Sequence, residues 1–135
     1  MNARETLLAI GSRGMASVLG IEIISIDDTG VVATMPVDER THQPFGILHG
    51  GASIALAETV ASIGAASRID LEKSVAVGQE INGNHLRGKS SGVVTATAKP
   101  IHLGRTSHVW AIEIADEEGR LVCVSRCTMA IVDRR

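Results

Sequence analysis

The sequence predicts an α+β fold, a largely antiparallel sheet wrapped around one central helix. Two observations carry that expectation. A single long helix-like run spans residues 50–66. β-rich runs flank it, two before and four after, without the strand–helix alternation of a parallel α/β protein. The stretch 3–19 has apolar residues at Leu7, Leu8, Met15, Val18 and Leu19, loosely helical but interrupted by Gly11 and Gly14, and reads as one short, imperfect helix. Runs 21–26 and 31–36 are joined by Asp27-Asp28-Thr29-Gly30, turn chemistry that suits a hairpin. Residues 38–48 contain Pro44 and Gly46 and read as an irregular loop delivering the chain to the helix. After the helix, 74–86, 92–100, 106–115 and 121–132 are rich in β-branched residues, and Asp116-Glu117-Glu118-Gly119-Arg120 makes a turn between the last two.

A chain of 135 residues suits one domain, 1–135, able to bury a real core. With one Phe, one Trp and no Tyr, that core is aliphatic. Fourteen glycines and many alanines allow close backbone approach, which suits tight helix-on-sheet packing and contacts between subunits. The 13 basic and 15 acidic residues form no dense basic stretch, so nucleic acid is not expected as a partner. No apolar run approaches the ~20 residues that cross a bilayer, and the first residues lack a signal-peptide pattern, so a cytoplasmic location away from membranes is expected. Cys123 and Cys127 fall in one strand-like run, about 13 Å apart at ~3.3 Å per residue, which forbids a mutual disulfide. No second ligand pair accompanies them, so buried thiols are expected and a metal site is not.

One acid stands out in the helix-like run. Glu58 has only small, apolar or hydroxyl residues around it, from Gly50-Gly51-Ala52-Ser53 on one side to Ser62-Ile63-Gly64-Ala65 on the other. A carboxylate buried there without partners is costly, so the expectation is a buried acid that something compensates or uses. The plainer reading is a surface acid on a helix half open to water, against which the lack of flanking Lys and Arg argues. At about 100° per residue, Leu56, Val60 and Ile63 gather on a core side, while Glu58 shares the other with Gly51, Ile54, Ala61, Ser62 and Ala65. Glu58 and Ser62, being i and i+4, project together and can address one atom of a ligand.

Just ahead stands Gln43-Pro44-Phe45-Gly46-Ile47-Leu48-His49-Gly50-Gly51. Two glycines at a helix start leave backbone N–H groups uncovered, and the helix dipole adds partial positive charge, so this point can polarise a carbonyl oxygen. A carbonyl held on the Gly50 or Gly51 N–H, with Glu58 as nucleophile or general base, describes acyl transfer to water. Taken singly, Gly-Gly is usually a tight turn, His49 a cap and Gln43 a solvated loop residue. The constellation carries the reading.

These residues resemble the hotdog-fold thioesterases, specifically the 4-hydroxybenzoyl-CoA thioesterase clade, whose helix begins with His-Gly-Gly. The stretch 43–53 with Leu56-Ala57-Glu58 looks especially like the 1,4-dihydroxy-2-naphthoyl-CoA hydrolases and the proofreading thioesterases of siderophore synthesis. So do Glu80-Ile81-Asn82, Asn84-His85-Leu86-Arg87, Lys99-Pro100-Ile101-His102-Leu103-Gly104 and Val109-Trp110. The similarity runs from about Thr41 onward. It implies a hotdog fold, dimers paired by sheet edges and assembled as a dimer of dimers, and active sites at the subunit interface. The implied substrate is an aromatic or medium-chain acyl-CoA, with an acyl carrier protein as a further possible partner and no cofactor, CoA being part of the substrate. Carried over by position, Glu58 is the catalytic carboxylate and Gly50 offers the polarising N–H. Gln43 and His49 line the thioester, and Ser62 positions the water or the acyl ring in the partner's site. In similar proteins the nucleotide end of CoA lies near 84–87 and 104–107, which makes His85, Arg87, Gly104 and Arg105 the CoA-binding candidates, and Gly51, at the helix start, joins them as a substrate-binding candidate. Gln79 and Gly83 depart from the larger apolar and alanine residues of that pattern, at positions that shape the acyl pocket.

Two other functions compete. One is a noncatalytic acyl-CoA or carrier-protein binding module that keeps the groove without the reaction. The other is a hotdog enoyl-CoA hydratase; such enzymes usually pair an Asp with a His, and this helix offers no such Asp.

Overall fold

The N-terminal stretch forms two helices where one was expected. In the computed structural model, which describes residues 2–135, α1 (Ala3–Ile10) opens on Asn2 and Glu5, which cap each other's backbone N–H groups. It stops at Gly11. Gly14, at φ +71°, then redirects the chain into α2 (Met15–Leu19). The hairpin follows as anticipated, β1 (Glu22–Asp27) against β2 (Gly30–Pro36). The Asp27 carboxylate accepts from the N–H groups of Thr29 and Gly30, at 2.8 and 3.2 Å. Gly30 has φ +149°, and a Cβ there would lie 1.9 Å from the Ala98 carbonyl oxygen, so no other residue fits.

An irregular loop leads to α3 (Gly50–Ala66), followed by β3 (Ser74–His85), β4 (Val93–Leu103), β5 (Ser107–Ala115) and β6 (Leu121–Asp133). β4 runs three residues past Pro100, its expected end. A register irregularity between Pro100 and His102 lets the strand continue although proline cannot donate to the ladder. The six strands form one sheet in the order β1-β2-β4-β5-β6-β3, every neighbouring pair antiparallel. α3 packs across one face and touches β2 through β6. This is the helix-in-sheet arrangement implied by the hotdog resemblance.

Alternate residues of the strands point at the helix. Ala33 and Met35 on β2, Val94, Ala96 and Ala98 on β4, Trp110, Ile112 and Ile114 on β5, and Cys123, Cys127 and Met129 on β6 are all buried, as are Leu56, Ala57 and Val60 on α3. The alanines facing α3 let the helix sit close, and the lone Trp fills the far end. Trp110 lies against Gly64, where a Cβ would come within 2.7 Å of the indole ring. Both cysteines are free and buried. Ala61 and Ala65 depart from the helical wheel, for both are fully buried rather than sharing an open side with Glu58. In the second half of α3, Val60, Ala61, Ile63, Gly64 and Ala65 are all enclosed, because the structure covers that half on more than the core side.

β3 is an edge strand. It pairs with β6 only, and among the described residues nothing pairs with its other side. Val77, Gly78, Gln79 and Glu80 are exposed there. A twelve-residue strand with an open edge is a ready template for a second chain. No helix among the described residues is long and apolar enough to cross a membrane.

Candidate functional site

Three residues on one stripe of α3 face three residues on β3. Gly50, Ile54 and Glu58 are spaced by four, so they stack one turn apart. Opposite them stand His85, Gly83 and Gly78. The His85 ring lies where a Gly50 Cβ would point, at 2.8 Å from its Nε2. The Ile54 Cδ1 fills the space that a Gly83 side chain would take, and the Glu58 Oε2 fills the space above Gly78, both at 2.5 Å from the missing Cβ.

Glu58 is not buried as the sequence suggested. It is half-buried, on the part of α3 that the chain leaves open, and it lines a groove of about 530 Å³ with Gly51, Ile54, Ala55, Thr59 and Ser62. Gly11 and Arg13, from the turn between α1 and α2, and Met15 and Ala16, at the start of α2, add to its lining. Among the described residues its carboxylate takes part in no salt bridge. Its charge, after burial itself, helps push the Cys127 thiol up to about 11, which keeps that thiol protonated and inert. Ser62, one turn on, points its hydroxyl at the Met129 sulfur, 3.9 Å away.

Gly50 belongs to a second groove of about 400 Å³, shared with Gln43, Ile47, Ser53, His85 and Arg87. His49 caps α3, and its Nδ1 accepts the Gly51 N–H at 2.8 Å. That bond removes Gly51 from the candidate polarising groups. It also leaves the proton of a neutral His49 ring on Nε2. The N–H groups of Ala52 and Ser53 go to the His49 carbonyl, at 3.0 and 3.3 Å. Of the opening turn, the Gly50 N–H is left without an acceptor among the described residues, where the helix dipole is strongest. The Gln43 Oε1 accepts the Phe45 N–H, so its amide NH₂ remains free to donate outward.

The predicted residues therefore fall into separate places. Glu58, Ser62 and Gly51 line one groove, and Gln43, Gly50, His85 and Arg87 line another. His49 lines neither; it belongs to a third pocket with Arg40, His42 and Gly51. Along the helix, Gly50 and Glu58 are eight residues or about 12 Å apart. Gly104 and Arg105 are not brought to either groove. They sit in the β4–β5 turn, where the Gly104 N–H bonds the Ser107 carbonyl at 2.8 Å. The neighbouring His108 is under the charge of Arg68, just past the far end of α3. The lining residues Gly11, Arg13, Met15 and Ala16, the Ser62–Met129 contact and Gly78 beneath Glu58 escaped sequence reasoning, and no local signal marks them. Among the described residues no cluster of three or more His, Cys, Asp or Glu is placed to hold a metal.

A profile of the thioesterase superfamily matches residues 45–123, more than half of the chain, including Gly50, Glu58 and His85. The chain belongs to this superfamily. It is a thioester hydrolase with the hotdog fold. It is 50% identical over 128 residues to the 1,4-dihydroxy-2-naphthoyl-CoA hydrolase of Escherichia coli, an alignment covering 95% of this chain and 93% of that one. It is 47% identical, over 95% of this chain and 93% of the other, to the proofreading thioesterase EntH of Cronobacter turicensis. Among solved structures, a mutant of thioesterase PA1618 from Pseudomonas aeruginosa superposes with a TM-score of 0.93 at 46% identity, covering 99% of this chain and 96% of that one.

Proposed function

We propose that this thioesterase hydrolyses an aromatic acyl-CoA, at a site completed by two copies of the chain. The observation that carries the reading is the split between the two grooves. An unclaimed amide donor, Gly50, lies in one, and a carboxylate outside any salt bridge, Glu58, lies in the other. A carbonyl held on Gly50 N–H needs its attacking group about 3 Å from the carbon. The Glu58 of the same chain is too far along the helix for that. Pairing two open β3 edges antiparallel, about a point near Ile81 and Asn82, puts the Gly78 end of one strand beside the His85 end of the other. Glu58 of one copy then faces Gly50 and Gln43 of the next. The two-fold relation makes two identical sites.

In that site the thioester oxygen accepts from the Gly50 N–H, which stabilises the oxyanion as the carbonyl carbon becomes tetrahedral. Glu58 either attacks the carbon itself or takes a proton from the attacking water. Collapse of the intermediate breaks the C–S bond. Where Glu58 is the base, the proton it took passes to the departing CoA sulfur and the free acid is released. Where Glu58 attacks, CoA leaves as the thiolate and the acyl group stays on Glu58 as a mixed anhydride; water then cleaves it to the free acid and the carboxylate, and the released proton balances the thiolate. The Gln43 NH₂ and the His49 Nε2–H are donors at the thioester, and Ser62 holds the water or the acyl ring. His85 and Arg87, at the mouth of the Gly50 groove, meet the CoA side, where positive charge suits phosphate. Gly104 and Arg105 reach that end only from another copy, in the dimer of dimers that the hotdog resemblance implies.

The apolar lining of the Glu58 groove, Ile54, Ala55, Met15 and Ala16, suits a flat hydrophobic acyl group. The naphthoyl-CoA hydrolase among the relatives supports the same choice. Thiol release measured across benzoyl, hydroxybenzoyl, naphthoyl and straight-chain CoA thioesters tests the reading. The aryl esters should give the highest kcat/KM. Equal or higher values for straight chains would remove the aromatic assignment. Tight binding of every ester with no thiol released would remove hydrolysis itself.

A further inference from the structure

Gly78 lies directly beneath the Glu58 carboxylate, and the two are not near each other in sequence. A Cβ built on Gly78 would lie 2.5 Å from Glu58 Oε2 and 3.1 Å from its Cδ, and its three nearest heavy atoms all belong to Glu58. The partner of Gly78 across the ladder is Met129, the residue whose sulfur receives the Ser62 hydroxyl. The i, i+4 pair of α3 thus rests on one cross-strand pair, Glu58 over Gly78 and Ser62 over Met129. A register irregularity follows at once, between Gly78 and Glu80, and interrupts the ladder beside this pair before pairing resumes at Glu80 and Thr128. Gly78 is absent from the positive-φ glycines, so its backbone does not require glycine. The space above it does.

We propose that Gly78 is a positioning residue for Glu58: the missing side chain is a socket that lets the carboxylate lie over β3 and face the open strand edge. The proposal rests on the catalytic reading of Glu58 given above. Its consequence is a division between folding and catalysis. In Gly78→Ala the new methyl meets the tip of a flexible side chain, which yields easily, so the fold survives. Restoring ordinary contact displaces the carboxylate by about 1 Å, and a shift of that size at a reacting group costs on the order of 10²-fold in rate. The substrate's other contacts are untouched.

The test compares Gly78→Ala, Glu58→Gln and the double variant by thiol release from an aryl-CoA, with thermal midpoints measured in parallel. Gly78→Ala should lower kcat by about 10²-fold with KM changed by less than about threefold, and should cost nothing further in the Glu58→Gln background, because a residue acting through Glu58 has nothing left to act on. A Gly78→Ala enzyme with undiminished kcat beside an impaired Glu58→Gln overturns the proposal alone. So does the same fold-loss in both backgrounds. An undiminished Glu58→Gln overturns the reading of Glu58 instead. If Gly78→Ala does not fold, Gly78→Ala/Glu58→Ala decides: a folded double variant identifies the carboxylate as the group displaced, and an unfolded one overturns the socket.

Discussion

Replacing Glu58 by glutamine removes the charge and the basicity while keeping the shape. Two separate magnitudes follow from its surroundings. For stability, the carboxylate is half-buried and outside every salt bridge among the described residues, so the substitution should move folding free energy by no more than about 0.5 kcal/mol. For catalysis, an amide neither attacks a thioester nor takes a proton from water, and loss of such a group costs roughly 10²- to 10⁴-fold. At about 1.36 kcal/mol per decade, that is about 2.7 to 5.4 kcal/mol of transition-state stabilisation. The Gly50 N–H lies in the other groove and keeps its place at the helix start, so hydrolysis above the uncatalysed rate should persist. Steady-state thiol release gives kcat and KM, and calorimetry with a nonhydrolysable thioether analogue gives binding. The expected pattern is a collapse of kcat with KM and analogue affinity within about threefold of wild type. A kcat within threefold of wild type, or a thermal midpoint several degrees lower, would refute the reasoning.

Other consequences concern the scaffold. Gly64→Ala gains about 1 kcal/mol of helix propensity but drives a methyl against the fully buried Trp110 ring, at 2.7 Å from two of its atoms; overpacking of that kind costs about 1–3 kcal/mol, so denaturant melts should show net destabilisation. An unchanged or raised stability would mean that the indole can retreat. His108 is buried, and burial, followed by the positive charges of His102 and Arg68, holds its pKa below the usual 6.5. The unfolded chain therefore binds the proton more readily, and stability is lost as pH falls through about 6.5. Thermal midpoints should decline from pH 7.5 to 5.5, with a flatter profile in His108→Gln; equal slopes in the two proteins would exclude His108 as the cause.

Much of this molecule was legible because its signals are local. The Asp27–Gly30 turn specifies a hairpin through its own side chain and one left-handed-region glycine. His49-Gly50-Gly51 marks the start of α3 because capping is settled within a few residues. Gly11 and Gly14 gave a visible break, but whether it made one bent helix or two depended on φ at Gly14. Pro100 hid the end of β4, since a bulge repairs what proline breaks and no residue announces a bulge. The exposure of Glu58 was misjudged because a helical wheel knows the helix and not how far the sheet reaches around it. Gly78 was invisible for a related reason: a glycine needed for the space above it looks like any other until the residue above it, twenty positions earlier, is in view. The turn at Gly104 and Arg105 was grouped with His85 and Arg87 by resemblance, yet within one chain it lies near the opposite end of the helix.

The account depends most on a site shared between chains, and a mixed dimer measures that directly. Glu58→Gln and Gln43→Ala, each expected to be impaired as a homo-oligomer, can be co-expressed with different tags and purified through both. If each site takes Glu58 from one copy and Gln43 from the other, one site of a mixed dimer carries both defects and its two-fold mate carries neither, so thiol release should recover to roughly a quarter to a half of the wild-type rate. A mixed preparation no faster than the mean of its two parents would contradict the account.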